Sequence, residues 1–283
     1  MRIGVYNDFG TSRLNVSFTL ARFAEFGETA RPVTAQEIRE SGRWMDEIDV
    51  LVFTSNSAGK FMQALEPQGM ENIRRFVFER GGIYLGICAG AYFGSGEMDF
   101  TGADLTCRMK GLGLLPVIAR GGLEDLMGRA YTGDSDSAAI IRLYDPQRQR
   151  YFNSVYWGGP RFMVPAAHQG LSPLFWTLSK DRTESYLMGI HGPAGRAGGH
   201  VFLLGNHCEI GQENARKYIA YYTSGRYYDA PLDEKIRATP PDQWQYGFNR
   251  LLEEIRAVYG ARQAAGRPAA ISIAPPDTAL IPA

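Results

Sequence analysis

No apolar run in the 283 residues approaches the ~20 needed to cross a bilayer, so the sequence offers no membrane helix. Cysteine is scarce. Cys88, Cys107 and Cys208 are odd in number and lack metal-site spacing, which argues against both a disulfide scaffold and a thiolate metal centre. Charge of one sign is not in excess: 30 basic residues meet 30 acidic ones, leaving no basic surplus to track phosphates, and a nucleic-acid partner is not expected. There is no internal repeat. The opening Met1-Arg2-Ile3-Gly4-Val5-Tyr6 reads as a strand and not as a signal peptide, so the expected setting is soluble and cytoplasmic, without a membrane partner. What is present is an ordinary globular composition, 45% apolar, in a chain long enough for one large or two small domains.

The chain is organised around Gly81-Gly82-Ile83-Tyr84-Leu85-Gly86-Ile87-Cys88-Ala89-Gly90-Ala91. Ile83 to Ile87 is a short apolar run bounded by glycines, as a buried parallel strand should be. It ends on Gly-x-Cys-x-Gly, the thiol form of the nucleophile elbow. Such a turn forces the nucleophile into strained backbone angles, and side chains at Gly86 or Gly90 would meet the neighbouring backbone. Helix formers follow, so Cys88 is expected at a helix N-terminus, which favours a thiolate. A buried cysteine in a glycine-rich turn is the structural alternative. Far downstream, the apolar Val201 to Leu204 is followed by Gly205-Asn206-His207-Cys208-Glu209. Two residues apart on an extended segment, His207 and Glu209 point to one side, with Cys208 on the other. A base oriented by a carboxylate is what a thiol nucleophile needs. Both motifs fall at C-terminal strand ends, where open α/β sheets bind ligands.

The Cys elbow followed by strand-Gly-x-His-x-Glu resembles the class I glutamine amidotransferase-like superfamily. The strings Val5-Tyr6-Asn7 with Gly10-Thr11, Gly86 to Gly94, Tyr151-Phe152-Asn153 with Gly158-Gly159, and His207-x-Glu209 are similar to one branch of it. That branch is the N-terminal domain of biotin–protein ligases and its stand-alone relatives. The resemblance covers residues 1 to 225. It implies a flavodoxin-like, doubly wound α/β fold, a mostly parallel sheet with helices on both faces, and a Cys88–His207–Glu209 site. It implies no settled reaction. Many members have a glycine pair after the third strand whose amides help form an oxyanion hole, whereas this chain has Ser55-Asn56-Ser57. The Ala89 N–H is unaffected by that change, and the second donor would come from Asn56 or Ser57. The resemblance also places Asn153, Gly158 and Gly159 near the site.

Along the chain, Ile3 to Tyr6, Arg31 to Thr34 and Glu47 to Thr54 read as strands, and Leu14 to Phe26 and Met70 to Arg80 as helices. Asp8, at the end of the first strand, is a candidate to face Cys88. The glycines of Gly111 to Gly121 have the wrong spacing for a dinucleotide site. Ala138 to Tyr144, Tyr151 to Tyr156 and Leu174 to Leu178 suggest antiparallel strands carried as an insertion. His191 and His200 flank a turn and read as structural, with no metal site. The domain closes with a helix from Asn214 to Tyr222. Arg226 to Asp242 reads as loop, and Gln243 to Tyr259 as an amphipathic helix ended by Gly260, within a helical extension spanning 226–260. The stretch 261–283 reads as a disordered tail.

These residues favour a thiol-dependent hydrolase or amidotransferase-like enzyme acting on an amide bond of a small-molecule substrate, needing neither cofactor nor metal. An ammonia-consuming acceptor or synthetase would be a separate partner, and self-association is left open. A metabolite-binding or regulatory module that keeps the elbow as a relic is the alternative. A redox role with Cys88 oxidising to a sulfenic acid is a third. Biotin ligation itself is not expected, because too few residues follow 225 to hold a ligase module.

Overall fold

The computed structural model describes residues 1–40, 42–133, 137–166, 170–222 and 230–265. The chain begins β1 (Arg2–Tyr6), α1 (Arg13–Glu25), β2 (Thr29–Val33), α2 (Ala35–Glu40), α3 (Trp44–Glu47), β3 (Val50–Phe53), α4 (Ala58–Phe78), β4 (Ile83–Ile87) and α5 (Ala89–Gly94). The middle supplies β5 (Ser95–Thr101), β6 (Thr106–Lys110), β7 (Leu115–Gly121), α6 (Glu124–Met127), β8 (Ala139–Asp145), β9 (Arg150–Tyr156), β10 (Pro160–Met163) and β11 (Ser172–Leu178). It closes with β12 (Ser185–Ala194), β13 (Gly199–Leu204), α7 (Gln212–Tyr222), α8 (Ala230–Ala238) and α9 (Pro241–Ala264).

One nine-stranded sheet runs β2-β1-β3-β4-β13-β12-β11-β8-β9. The first five strands pair in parallel, and from β13 to β9 the pairing is antiparallel. β3 and β4 are buried at every position, because helices cover both faces and an apolar side chain is needed on each. One face packs Tyr6, Phe53, Tyr84 and Phe93 with Phe61 of α4. The other packs Val5, Val52, Leu85 and Phe202 with Phe23 of α1 and Phe248 of α9. Each such ring or branched chain contributes about 1.5–3 kcal/mol of burial, so the parallel half is a rigid base for the loops at its C-terminal rim.

Several expectations change. The antiparallel strands β8, β9 and β11, expected as an insertion, extend the main sheet. The separate layer is a four-stranded sheet, β10-β7-β5-β6, which the sequence pattern did not announce. Residues 115–121 lie in that sheet as β7. α4 starts at Ala58, capped by Ser57, and breaks at Glu66 (φ 56°, ψ 177°) ahead of Pro67, whose ring disfavours a helical residue before it. Part of the expected loop 226–242 is the helix α8, and α9 continues past Gly260 to Ala264. α9 buries Trp244, Phe248, Leu251, Leu252 and Ile255, so it belongs to the core. Most of the expected tail, residues 266–283, lies outside the described residues. Among the described residues, no helix is long and apolar enough to cross a membrane.

Candidate active site at the rim of the parallel sheet

β4 delivers Cys88 into a turn with φ 52° and ψ −108°, a conformation that ordinary residues avoid and that costs on the order of 1–3 kcal/mol. The surroundings hold it there. The Cys88 N–H donates to the Leu204 carbonyl at 2.8 Å, and the Gly90 N–H donates to the Thr54 carbonyl at 3.1 Å. A Cβ on Gly86 would collide with the Gly90 carbonyl, and one on Gly90 with the Phe53 carbonyl. The two glycines of the motif are therefore required by close approach of backbone, as the spacing predicts.

β13 delivers the second group. Beyond its end, the His207 N–H donates to the Val155 carbonyl at 2.8 Å, which fixes the backbone. His207 Nδ1 donates to Glu209 Oε1 at 2.7 Å, leaving Nε2 for the sulfur. Both side chains are almost completely buried. The imidazole also lies in hydrogen-bond reach of Cys88. Burial alone would push the imidazole's pKa down, but the Glu209 carboxylate and the Cys88 sulfur outweigh it and raise it to about 10. Cys208, between them, is buried and free, and burial pushes its thiol well up. It stays a protonated core residue.

The third wall is the β9–β10 connection. The Cys88 thiol donates to the Trp157 carbonyl at 3.6 Å, a contact that sequence reasoning missed because a main-chain atom makes it. Tyr92 and Tyr156 donate their hydroxyls to the Gly158 and Gly159 carbonyls at 2.9 and 2.8 Å. A Cβ on Gly159 would strike the Gly205 carbonyl. The expected Gly158-Gly159 pair is thus packed beside the elbow.

Three expectations are corrected. Asp8 accepts from the Phe9 and Ala35 amides at 2.7 and 3.0 Å, so its carboxylate caps α2 and is not held by the cysteine. Asn153 donates to Thr239 Oγ1 at 3.1 Å and ties down the α8–α9 junction. One residue on, the pleat turns Ser154 inward, where it accepts from Asn206 at 3.0 Å. Ser57 spends its N–H on the Gly10 carbonyl at 3.1 Å and its hydroxyl on the α4 cap, so it supplies no oxyanion donor. Asn56 remains at the rim, exposed, at φ 134°, a region proper to glycine. Ala89 follows Cys88 at the start of α5, where N–H groups have no partner within the helix. Among the described residues, no three His, Cys, Asp or Glu side chains could hold a metal.

The architecture matches solved amidotransferases. A glutamine amidotransferase from Thermotoga maritima superposes with a TM-score of 0.54 at 13% identity, covering 91% of this chain and 98% of that one. Another solved glutamine amidotransferase gives 0.50 at 15% identity, over 78% and 98%. The chain shares its fold with these glutamine amidotransferases. More narrowly, the sequence model described as "Biotin-protein ligase, N terminal" matches residues 1–234, and the chain belongs to that family. An uncharacterized protein of Chlamydia muridarum (strain MoPn / Nigg) is 29% identical over 244 residues, 79% of this chain and 90% of that one.

Proposed function

We propose that the chain is a cysteine-nucleophile hydrolase of amidotransferase type, cleaving a carbon–nitrogen amide bond in a small substrate. The observation that carries this reading is the buried His207–Glu209 contact beside a cysteine held at a strained elbow. The Cys88 thiol gives its proton to His207, and the sulfur attacks the amide carbon as the carbonyl electrons move onto oxygen. The Ala89 N–H, with the Asn56 amide as the second candidate, receives that charge. The His207 imidazolium gives its proton to the departing nitrogen, leaving a thioester. His207 then takes a proton from water, whose oxygen displaces the sulfur. Glu209 keeps the imidazole oriented and stabilises its charged form. With Cys88 only 8% exposed, the site admits a small group and not a folded chain.

Ammonia release from glutamine and a panel of primary amides tests the reading. Cys88→Ser and His207→Ala are each expected to lower turnover by about 10³-fold or more while the chain stays folded. Full activity in either variant overturns it. A second reading, a binding or regulatory module, is favoured by the rim after β3, where Ser57 is consumed and Asn56 is strained. A metabolite bound tightly without turnover, beside an inert Cys88, would support that reading instead.

A further inference from the structure

A cleft of about 960 Å³ does not include Cys88, His207 or Glu209. It lies between α6, α8 and the face of β8, β9 and β11 opposite α9, and its size suits a small organic ligand. Two kinds of side chain in its lining bear on what it could bind. Arg142, Lys180, Arg182 and Lys235 line it, and none of the four is paired with a carboxylate among the described residues. Elsewhere on the same hairpin, Arg148 pairs with Glu253 and Arg150 with Asp242, and Arg161 of β10 pairs with Glu184. The cleft's one acidic lining residue, Asp125, accepts from the Lys180 amide and the Tyr186 hydroxyl.

The second kind is aromatic. Tyr151 is 54% exposed, and its ring lies 4.8 Å from that of Tyr144 and 4.4 Å from the Arg142 guanidinium. Trp176 stands across from Tyr144 on β11. Large rings left open on a sheet face lose burial, and unpaired cations gathered together repel. A ligand that covers the rings and neutralises the cations removes both costs, and guanidinium beside an aromatic plane suits a flat, anionic partner.

We propose that this cleft binds a small organic anion carrying a planar ring, of nucleoside-diphosphate type, separately from the thiol site. The probe is ADP, titrated calorimetrically into the full chain, with adenosine and inorganic pyrophosphate as its two halves. Saturable ADP binding is expected, weakened about tenfold or more by Arg142→Ala and by Tyr151→Ala, and unchanged in Cys88→Ser. Adenosine and pyrophosphate should each bind about tenfold more weakly than ADP. Three results overturn the proposal: no saturable ADP binding, ADP affinity indifferent to both substitutions, or pyrophosphate matching ADP. Since Arg142 and Tyr151 project from an exposed face, unchanged melting of both variants separates lost binding from lost folding.

Discussion

One histidine stands at the start of β13 and another in the segment that follows its end, and the two rings behave in opposite ways. At the start of the strand, His200 shares a hydrogen bond with His191, Nε2 to Nδ1 at 2.9 Å, and both rings lie against Phe202. Burial, reinforced by the neighbouring imidazole, lowers the pKa of His200 to about 4. At the other end, His207 meets a carboxylate and a sulfur and is raised to about 10 despite deeper burial. At neutral pH the first ring is uncharged and the second is a cation. The comparison teaches that the partner, not the burial, decides whether a core histidine is a neutral packing element or a poised cation. Only the C-terminal end also carries strained backbone, at Cys88 and Asn56.

Breaking the charged end should have the largest effect. Glu209→Gln keeps a hydrogen-bonding group but removes the charge, and is expected to cut amide hydrolysis by about 10²–10⁴-fold. It should also bring the His207 titration, followed by NMR, down from about 10 toward its ordinary 6.5. The stability linked to His207 is fully present below about 6.5 and is lost as pH rises through about 10, so alkaline loss of stability should flatten in this variant. An unchanged titration would mean that the carboxylate does not set the imidazole's charge.

The neutral end is sharpened by His200→Gln, which retains a partner for His191 but no titrating group. A depressed histidine contributes stability above about 6.5 that is lost as pH falls toward about 4. Denaturant melts at pH 5 and 7 should therefore differ less in His200→Gln than in the wild type. Equal differences would place the acid sensitivity elsewhere. The smallest effect is expected from Asn56→Gly, which relieves strain only at the functional end and should stabilise the fold by about 1 kcal/mol. A destabilised variant would show that the Asn56 side chain is holding the rim.

The parallel half of the fold is legible in the sequence because β3, β4 and β13 need apolar residues on both faces and so read as continuous runs. The elbow is legible because its glycines answer to backbone contact. β6, Thr106-Cys107-Arg108-Met109-Lys110, is mostly exposed, so it carries no burial pattern, and the second sheet built on it passes unseen. In β9, motif resemblance pointed to Asn153 while the pleat turns its neighbour Ser154 inward, a shift of one residue that reverses the face. Ser57 illustrates a different limit. Its main-chain bond to Gly10 joins loops far apart in sequence, and no local pattern encodes that.

The most direct test of the His207–Glu209 pair beside Cys88 is the rate of Cys88 alkylation by iodoacetamide, read by peptide mass spectrometry across pH 5 to 9 in wild type and His207→Ala, with Cys107 as the internal reference. If the charged imidazole activates the sulfur, Cys88 in the wild type outpaces Cys107 at neutral pH, and His207→Ala slows it by about tenfold or more while leaving Cys107 unchanged. Equal Cys88 rates in the two proteins would contradict a working thiol–imidazole pair and leave the elbow as part of a binding fold.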